Sequence, residues 1–346
     1  MTLSSREERM LDSPSSSSSN LSSSCSANAM IIDAINGSLR HGANGALHHV
    51  FDGADLQRLH HFQTITVCTL ATSSISRVYQ AEIVKLACLH PHLLHAVLTI
   101  AEMHYRYTTS DRASPAELYH WQKTTSLFNQ KLAHPIKTED ADAVFATSTL
   151  LNGISMGSIE TDQYLDAWPL KPSSHDLQWL RMQGGIKLMV LAAQPWRKGS
   201  VFENLISEGD DGLSTFTDTR LGIAGIPAPF VSLCDLSVLS TVENNPYHAQ
   251  VRMLCPLLSM ECTRETLMEH LNFIAEMRPE FLELLQQRDA RALLILGYCR
   301  MHGDLLLPGN VRRLQDTRTF GNPGPSMWIS SRPAHGYVRH TAATRT

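Results

Sequence analysis

Nucleophilic chemistry is spelled once in this chain, at Gly153-Ile154-Ser155-Met156-Gly157. A G-x-S-x-G run exposes its serine oxygen when it forms a sharp strand-to-helix turn. Here the preceding residues, ADAVFATSTLLN, read as a helix that is apolar nearly all round, so Ser155 is expected to serve helix packing. Metal chemistry is the second possibility, because the chain has 17 histidines and groups them at His60-His61 and at His90, His92 and His95. Zinc requires three or four donors converging on one point, with partners that orient them. His90 instead suits a helix C-terminus and His95 lies beside core residues, so no metal ligand is expected. No catalytic residue is assigned and no cofactor is expected.

Binding chemistry has two further candidates. Trp121, Phe128, Trp179, Met182, Met189 and Trp196 could line a pocket for a hydrophobic ligand between helices, although large apolar side chains also dominate any core, and core packing is the preferred reading. Residues 308–346 hold six arginines against one aspartate, which could touch phosphates but reads first as an exposed basic tail.

Composition limits the classes that remain. The 346 residues are 43% hydrophobic, enough for a sizeable core, and the formal charge of -4 supplies no general cationic field for nucleic acid or anionic membranes. Seven cysteines, at 25, 68, 88, 234, 255, 262 and 299, are never two residues apart, which excludes zinc-ribbon and zinc-finger spacing. Scattered in apolar runs, they suit reduced thiols inside a cell. The N-terminus has no hydrophobic signal region, and the longest uncharged runs, 143–159 and 221–234, are too polar to span a membrane.

The elements that would position these residues are helical throughout. Proline suits the first turn of a helix but not its interior, so Pro91 predicts one helix ending near His90 and another starting there and running to Tyr107. In the second, Leu94, Val97, Leu98, Ala101 and Tyr105 share one face, flanked by Leu93, Ile100 and His104. Ser114-Pro115-Ala116-Glu117 opens a helix through Leu132 whose predicted buried stripe is Leu118, Trp121, Thr125, Phe128 and Leu132. Asp140 is expected to cap the following helix, and Asp176 another that breaks at Gly184-Gly185. The expected architecture is all-α, a multi-helix bundle-like body over residues 50–302 with a loop or insertion at about 208–230. A disordered Ser-rich leader over 1–49 precedes it, and an irregular basic tail over 303–346 follows it.

Six segments, taken in order, resemble the C-terminal regulatory domain of fungal binuclear zinc-cluster transcription factors of the sterol uptake control protein type. They are LQRLHHF from Leu56; VKLA from Val84 with HPHLLHA from His90; Tyr119 to Leu127; Ala141 to Leu151; LQWLR from Leu177 with Gly184-Gly185-Ile186; and PEFL from Pro279 with ALLILGY from Ala292. The resemblance covers roughly residues 50–300. It departs from the family at both ends. Only Cys25 precedes residue 60, so the six-cysteine DNA-reading cluster is missing, and the tryptophan-rich helix expected after Gly297-Tyr298 is replaced by the Arg/Pro/Gly tail.

The resemblance implies a nuclear regulator of transcription serving metabolic or secondary-metabolite genes. Without the cluster, no direct sequence-specific DNA binding is expected. It would act through protein partners, a full-length zinc-cluster factor or a second copy of itself, and with a hydrophobic small ligand as a further expectation. A lipid- or sterol-binding sensor without a transcriptional role is the alternative, and a serine hydrolase built on Ser155 stands behind it.

Overall fold

The computed structural model describes residues 18–42, 49–70, 72–109, 112–157, 168–171, 177–207, 220–260, 263 and 266–301. Every regular element among them is helical. In chain order these are α1 (Ser18–Gly42), α2 (Gly53–His61), α3 (Val67–Leu70), α4 (Ser73–Val78), α5 (Val84–Ala87), α6 (Pro91–Thr109), α7 (Pro115–Leu132), α8 (Thr138–Gly157), α9 (Gln178–Ala193), α10 (Glu203–Ser207), α11 (Ala228–Leu233), α12 (His248–Leu257), α13 (Leu267–Ala275), α14 (Pro279–Gln286) and α15 (Ala290–Met301). A π-helical turn over Phe62–Thr66 joins α2 to α3, and another over Tyr79–Ile83 joins α4 to α5. The protein is all-α.

The corner at His90 forms as the sequence requires. The amides of Leu93 and Leu94 donate to the His90 carbonyl, which starts α6 behind a proline that has no amide to offer. Residues 92 to 101 of α6 are buried without interruption, so α6 is the central rod of the first half. It packs on α2, α5, α7 and α8. The core around it runs from Ile35 and Leu39 through Phe51, Phe62 and Ile83 to Val144, Ile154 and Phe202. A second core gathers Leu177, Leu180, Phe230, Val251, Phe273, Phe281, Ile295 and Cys299. Helix α9 touches both, with Met189 against the first core and Leu180 in the second.

Four expectations need correction. The leader is not without structure, since α1 occupies Ser18–Gly42 and buries Ile35, Asn36 and Leu39. The apolar residues at 32, 35 and 39 have helical spacing, and Asn36 clamps Phe51, its amide donating to the Phe51 carbonyl and its oxygen accepting the Phe51 N–H, both at 2.9 Å. The serine run before them hides this pattern. Helix α9 passes through Gly184-Gly185 without a break, with Leu180 and Gln183 buried before the pair and Val190 and Ala193 after it. The buried stripe of α7 is Glu117, His120, Thr124 and Phe128, while Leu118 is 54% exposed. On α6, Tyr105 is 39% exposed, pointing out over Arg58.

Of the expected insertion at about 208–230, residues 220–227 form bends and turns, and α11 begins at Ala228. Gly222, at φ +73°, carries a carbonyl that accepts from Arg252 Nη2 at 2.8 Å and His248 Nε2 at 2.9 Å. Residues 208–219, Asp176 and the basic tail lie outside the described residues. No described helix is long and apolar enough to cross a membrane.

Candidate functional site

Among the described residues, a group of metal-ligating side chains lies where the start of α2 meets α6 and α7. Asp52 caps α2, its Oδ1 accepting the amides of Ala54 and Asp55 at 2.8 and 3.0 Å, and Asp55 Oδ2 accepts the Asp52 amide at 3.1 Å in return. This reciprocal box fixes the Asp55 carboxylate at the helix N-terminus. His49, three residues before the cap, brings Nε2 to 2.6 Å from the same Oδ2. From the polar stripe of α7, His120 brings Nε2 to 3.4 Å from Asp55 Oδ1. One ligand atom from each of His49, Asp55 and His120 lies within 4.8 Å of the other two.

His95, on the central rod α6, completes the surroundings. Its Nδ1 is 2.8 Å from His120 Nδ1, and its ring centroid is 5.1 Å from that of His120 and 5.2 Å from that of His49. The Tyr119 ring closes one side, at 5.5 Å from His49. Asp55, His95 and His120 are buried, and the His49 side chain, a fifth exposed, faces the outside. Burial alone would raise the Asp55 carboxyl, but the imidazoles of His120 and His49 and the Asp52 amide overcome it and hold the group well below the usual carboxylate range. Burial, with His120 and His49 nearby, pushes His95 down to about 3, so its imidazole is neutral.

The histidines singled out in the sequence are placed apart. His60 is exposed; His61 Nε2 lies 3.1 Å from His104 Nδ1; His90 faces Asp140 at 3.7 Å. His92 Nδ1 lies 2.8 Å from Thr147 Oγ1. Of the five, only His95 reaches the cluster, as the partner of His120. Sequence reasoning missed His49, Asp55 and His120. One signal was present, since Glu117, His120 and Thr124 form a polar series at helical spacing on the face next to the predicted stripe.

Ser155 sits inside α8, and its hydroxyl donates to the Asn152 carbonyl at 2.8 Å. The surrounding glycines serve packing. Gly153 faces Ile100, and Gly157, whose carbonyl accepts from the Tyr107 hydroxyl, faces Met103. The six candidate pocket residues do not converge. Phe128 belongs to the first core, Trp121 and Met189 pack on it half-buried, Trp179 packs on the second, and Met182 and Trp196 are exposed. A cavity of ≈ 20 Å³ between α12 and α13, lined by Met253, Leu257, Glu269 and Phe273, has room for a water rather than a lipid. No protein-family model matches the chain, and no curated protein matches it.

Proposed function

We propose that this protein is a nuclear regulator of transcription that works through protein contacts, as the resemblance to fungal zinc-cluster regulatory domains implies. The observation that carries the protein-contact reading is on α9. Leu188 and Leu191, one turn apart on the same helix, are each 65% exposed. Large apolar side chains gathered on one surface are characteristic of interaction sites. A supporting observation is that the described parts of all six resembling segments lie on helices or at their ends.

In this reading the helical body joins a DNA-bound partner and shifts its activity by favouring one of its states. The partner, rather than this chain, reads the bases. Chromatin immunoprecipitation of the tagged protein, with and without candidate zinc-cluster factors, tests it. Promoter occupancy that disappears with the partner, and with a Leu188→Glu/Leu191→Glu variant, is the expected result. Absence of occupancy in all strains, together with unchanged transcripts after gene deletion, would sink the reading.

A further inference from the structure

We infer that His49, Asp55 and His120 form a binding site for one divalent transition-metal ion, with zinc the best fit, and that His95 positions His120 within it. The inference stands on the geometry of this cluster and is independent of the transcriptional reading.

The donor set is two imidazoles and a carboxylate, which zinc accepts with three protein ligands and a fourth position left for water. Donors at about 2.0 Å from a tetrahedral ion stand roughly 3.3 Å apart. Here the carboxylate oxygens lie 2.6 Å from His49 Nε2 and 3.4 Å from His120 Nε2. Imidazoles sharing such an ion have centroids roughly 5 Å apart, by the same bond lengths. Those of His49 and His120 are 5.1 Å apart with the rings nearly perpendicular, at 85°.

The gap between His120 and Asp55 has the character of an ion's place. A charge-assisted N–H···O bond closes to about 2.7–2.9 Å. The 3.4 Å separation of His120 Nε2 and Asp55 Oδ1 is longer, although both side chains are buried, 5% and 9% exposed. The hydrogen bond between His95 Nδ1 and His120 Nδ1 decides what His120 presents there. With the proton on His95, His120 points an Nε2–H at the carboxylate. With the proton on His120 Nδ1, Nε2 becomes a lone pair directed at the same place and a cation between them removes the repulsion; the proton displaced from His120 Nε2 goes to solvent, and His95 takes one from solvent on its own Nε2. No heavy atom has to move for this exchange. A second group that fixes the tautomer of a ligating histidine is what metal sites require.

The surrounding fold holds two of the three ligands without the metal. Asp55 is fixed by its capping box and His120 by α7 packed on α6, so only His49, on the segment leading into α2, must adjust. Its partial exposure provides the way in. A bound ion would join the start of α2 to α7.

Equilibrium titration of the full-length chain tests the site. The protein is stripped by chelator, then titrated with zinc against a chromophoric competitor, and separately with cobalt(II), whose visible ligand-field bands report tetrahedral coordination. One equivalent of zinc and one of cobalt should bind, with a matching rise in melting temperature. His49→Gln should weaken binding by at least tenfold while leaving the far-ultraviolet circular dichroism unchanged, because this side chain supports no core. Asp55→Asn and His120→Gln should do the same if they fold. His95→Phe should weaken binding by about 10–100-fold, the usual effect of removing an orienting partner. His60→Gln, on an exposed position of α2, should have no effect. Failure to bind either metal at micromolar concentration, or binding that survives His49→Gln undiminished, would overturn the proposal.

Discussion

Arg106 of α6 and Glu117 of α7 meet in a buried two-pronged ion pair, Nε to Oε2 at 2.8 Å and Nη2 to Oε1 at 3.0 Å, with side chains 7% and 3% exposed. Glu117 is also the third residue of α7, its amide donating to the Ser114 hydroxyl at 3.0 Å. The pair therefore locks the start of one helix to the end of the other. Breaking it strands a charge in the interior. Glu117→Ala is expected to destabilise the fold by about 3–5 kcal/mol, whereas Arg106→Met with Glu117→Leu should recover most of that loss. Urea unfolding of the single and double variants measures both.

His92 predicts an acid-side loss of stability. Thr147 Oγ1 donates to the Ala143 carbonyl at 2.7 Å, so it accepts from His92 Nδ1–H, and His92 Nε2 is left as a buried lone pair without a hydrogen-bond partner. Burial, then the charges of His90 and Lys131, push His92 down to about 3, with Asp140 opposing them. The folded value lies below the unfolded one near 6.5, so the unfolded chain binds the proton first. The contribution of a neutral His92 is complete above about pH 6.5 and declines as pH falls toward 3, by up to about 1.4 kcal/mol per unit. His92→Leu should be close to neutral at pH 7 and should flatten the stability profile between pH 6 and 4, measured by urea midpoints across that range.

The Asn36–Phe51 clamp predicts that α1 belongs to the folded body. Asn36→Leu leaves a buried backbone amide and carbonyl at Phe51 without their partners and should cost about 2–4 kcal/mol. Truncation to residue 43 uncovers Phe51 as well and should cost more. Thermal melts of both variants, with circular dichroism as the readout, check this.

Two left-handed positions predict opposite responses. Gln194 ends α9 at φ +47°, exposed, with its amide donating to the Val190 carbonyl at 2.9 Å, so Gln194→Gly should stabilise by about 0.5–1 kcal/mol. At Gly222, an added Cβ would lie 2.8 Å from the Val238 carbonyl oxygen, a backbone atom with little room to retreat. Gly222→Ala should cost about 2 kcal/mol or more and loosen the carbonyls that hold Arg252. Chemical denaturation of the two variants side by side tests the contrast.

The sequence shows the helices well because their signals are local. Pro91 after His90, Ser114-Pro115 and the apolar runs of α6 and α8 each depend on neighbours a turn or two away, and these elements stand where those residues put them. The cluster of His49, Asp55 and His120 was illegible for the opposite reason. His49, Asp55 and His120 come from three segments, and their meeting depends on how α7 is rotated about its axis. Periodicity left that rotation ambiguous by about one residue, since Leu118 and Trp121 offer an apolar stripe beside the polar one. Burying Glu117, His120 and Thr124 pays only because Arg106 and His95 wait on α6 to satisfy the first two, and no single-helix pattern contains that information.

Helix α9 carries Met189 on the first core and Leu180 on the second, while Leu188 and Leu191 look outward. One helix thus contributes to both cores. Any change of packing that displaces α9 would carry Leu188 and Leu191 with it.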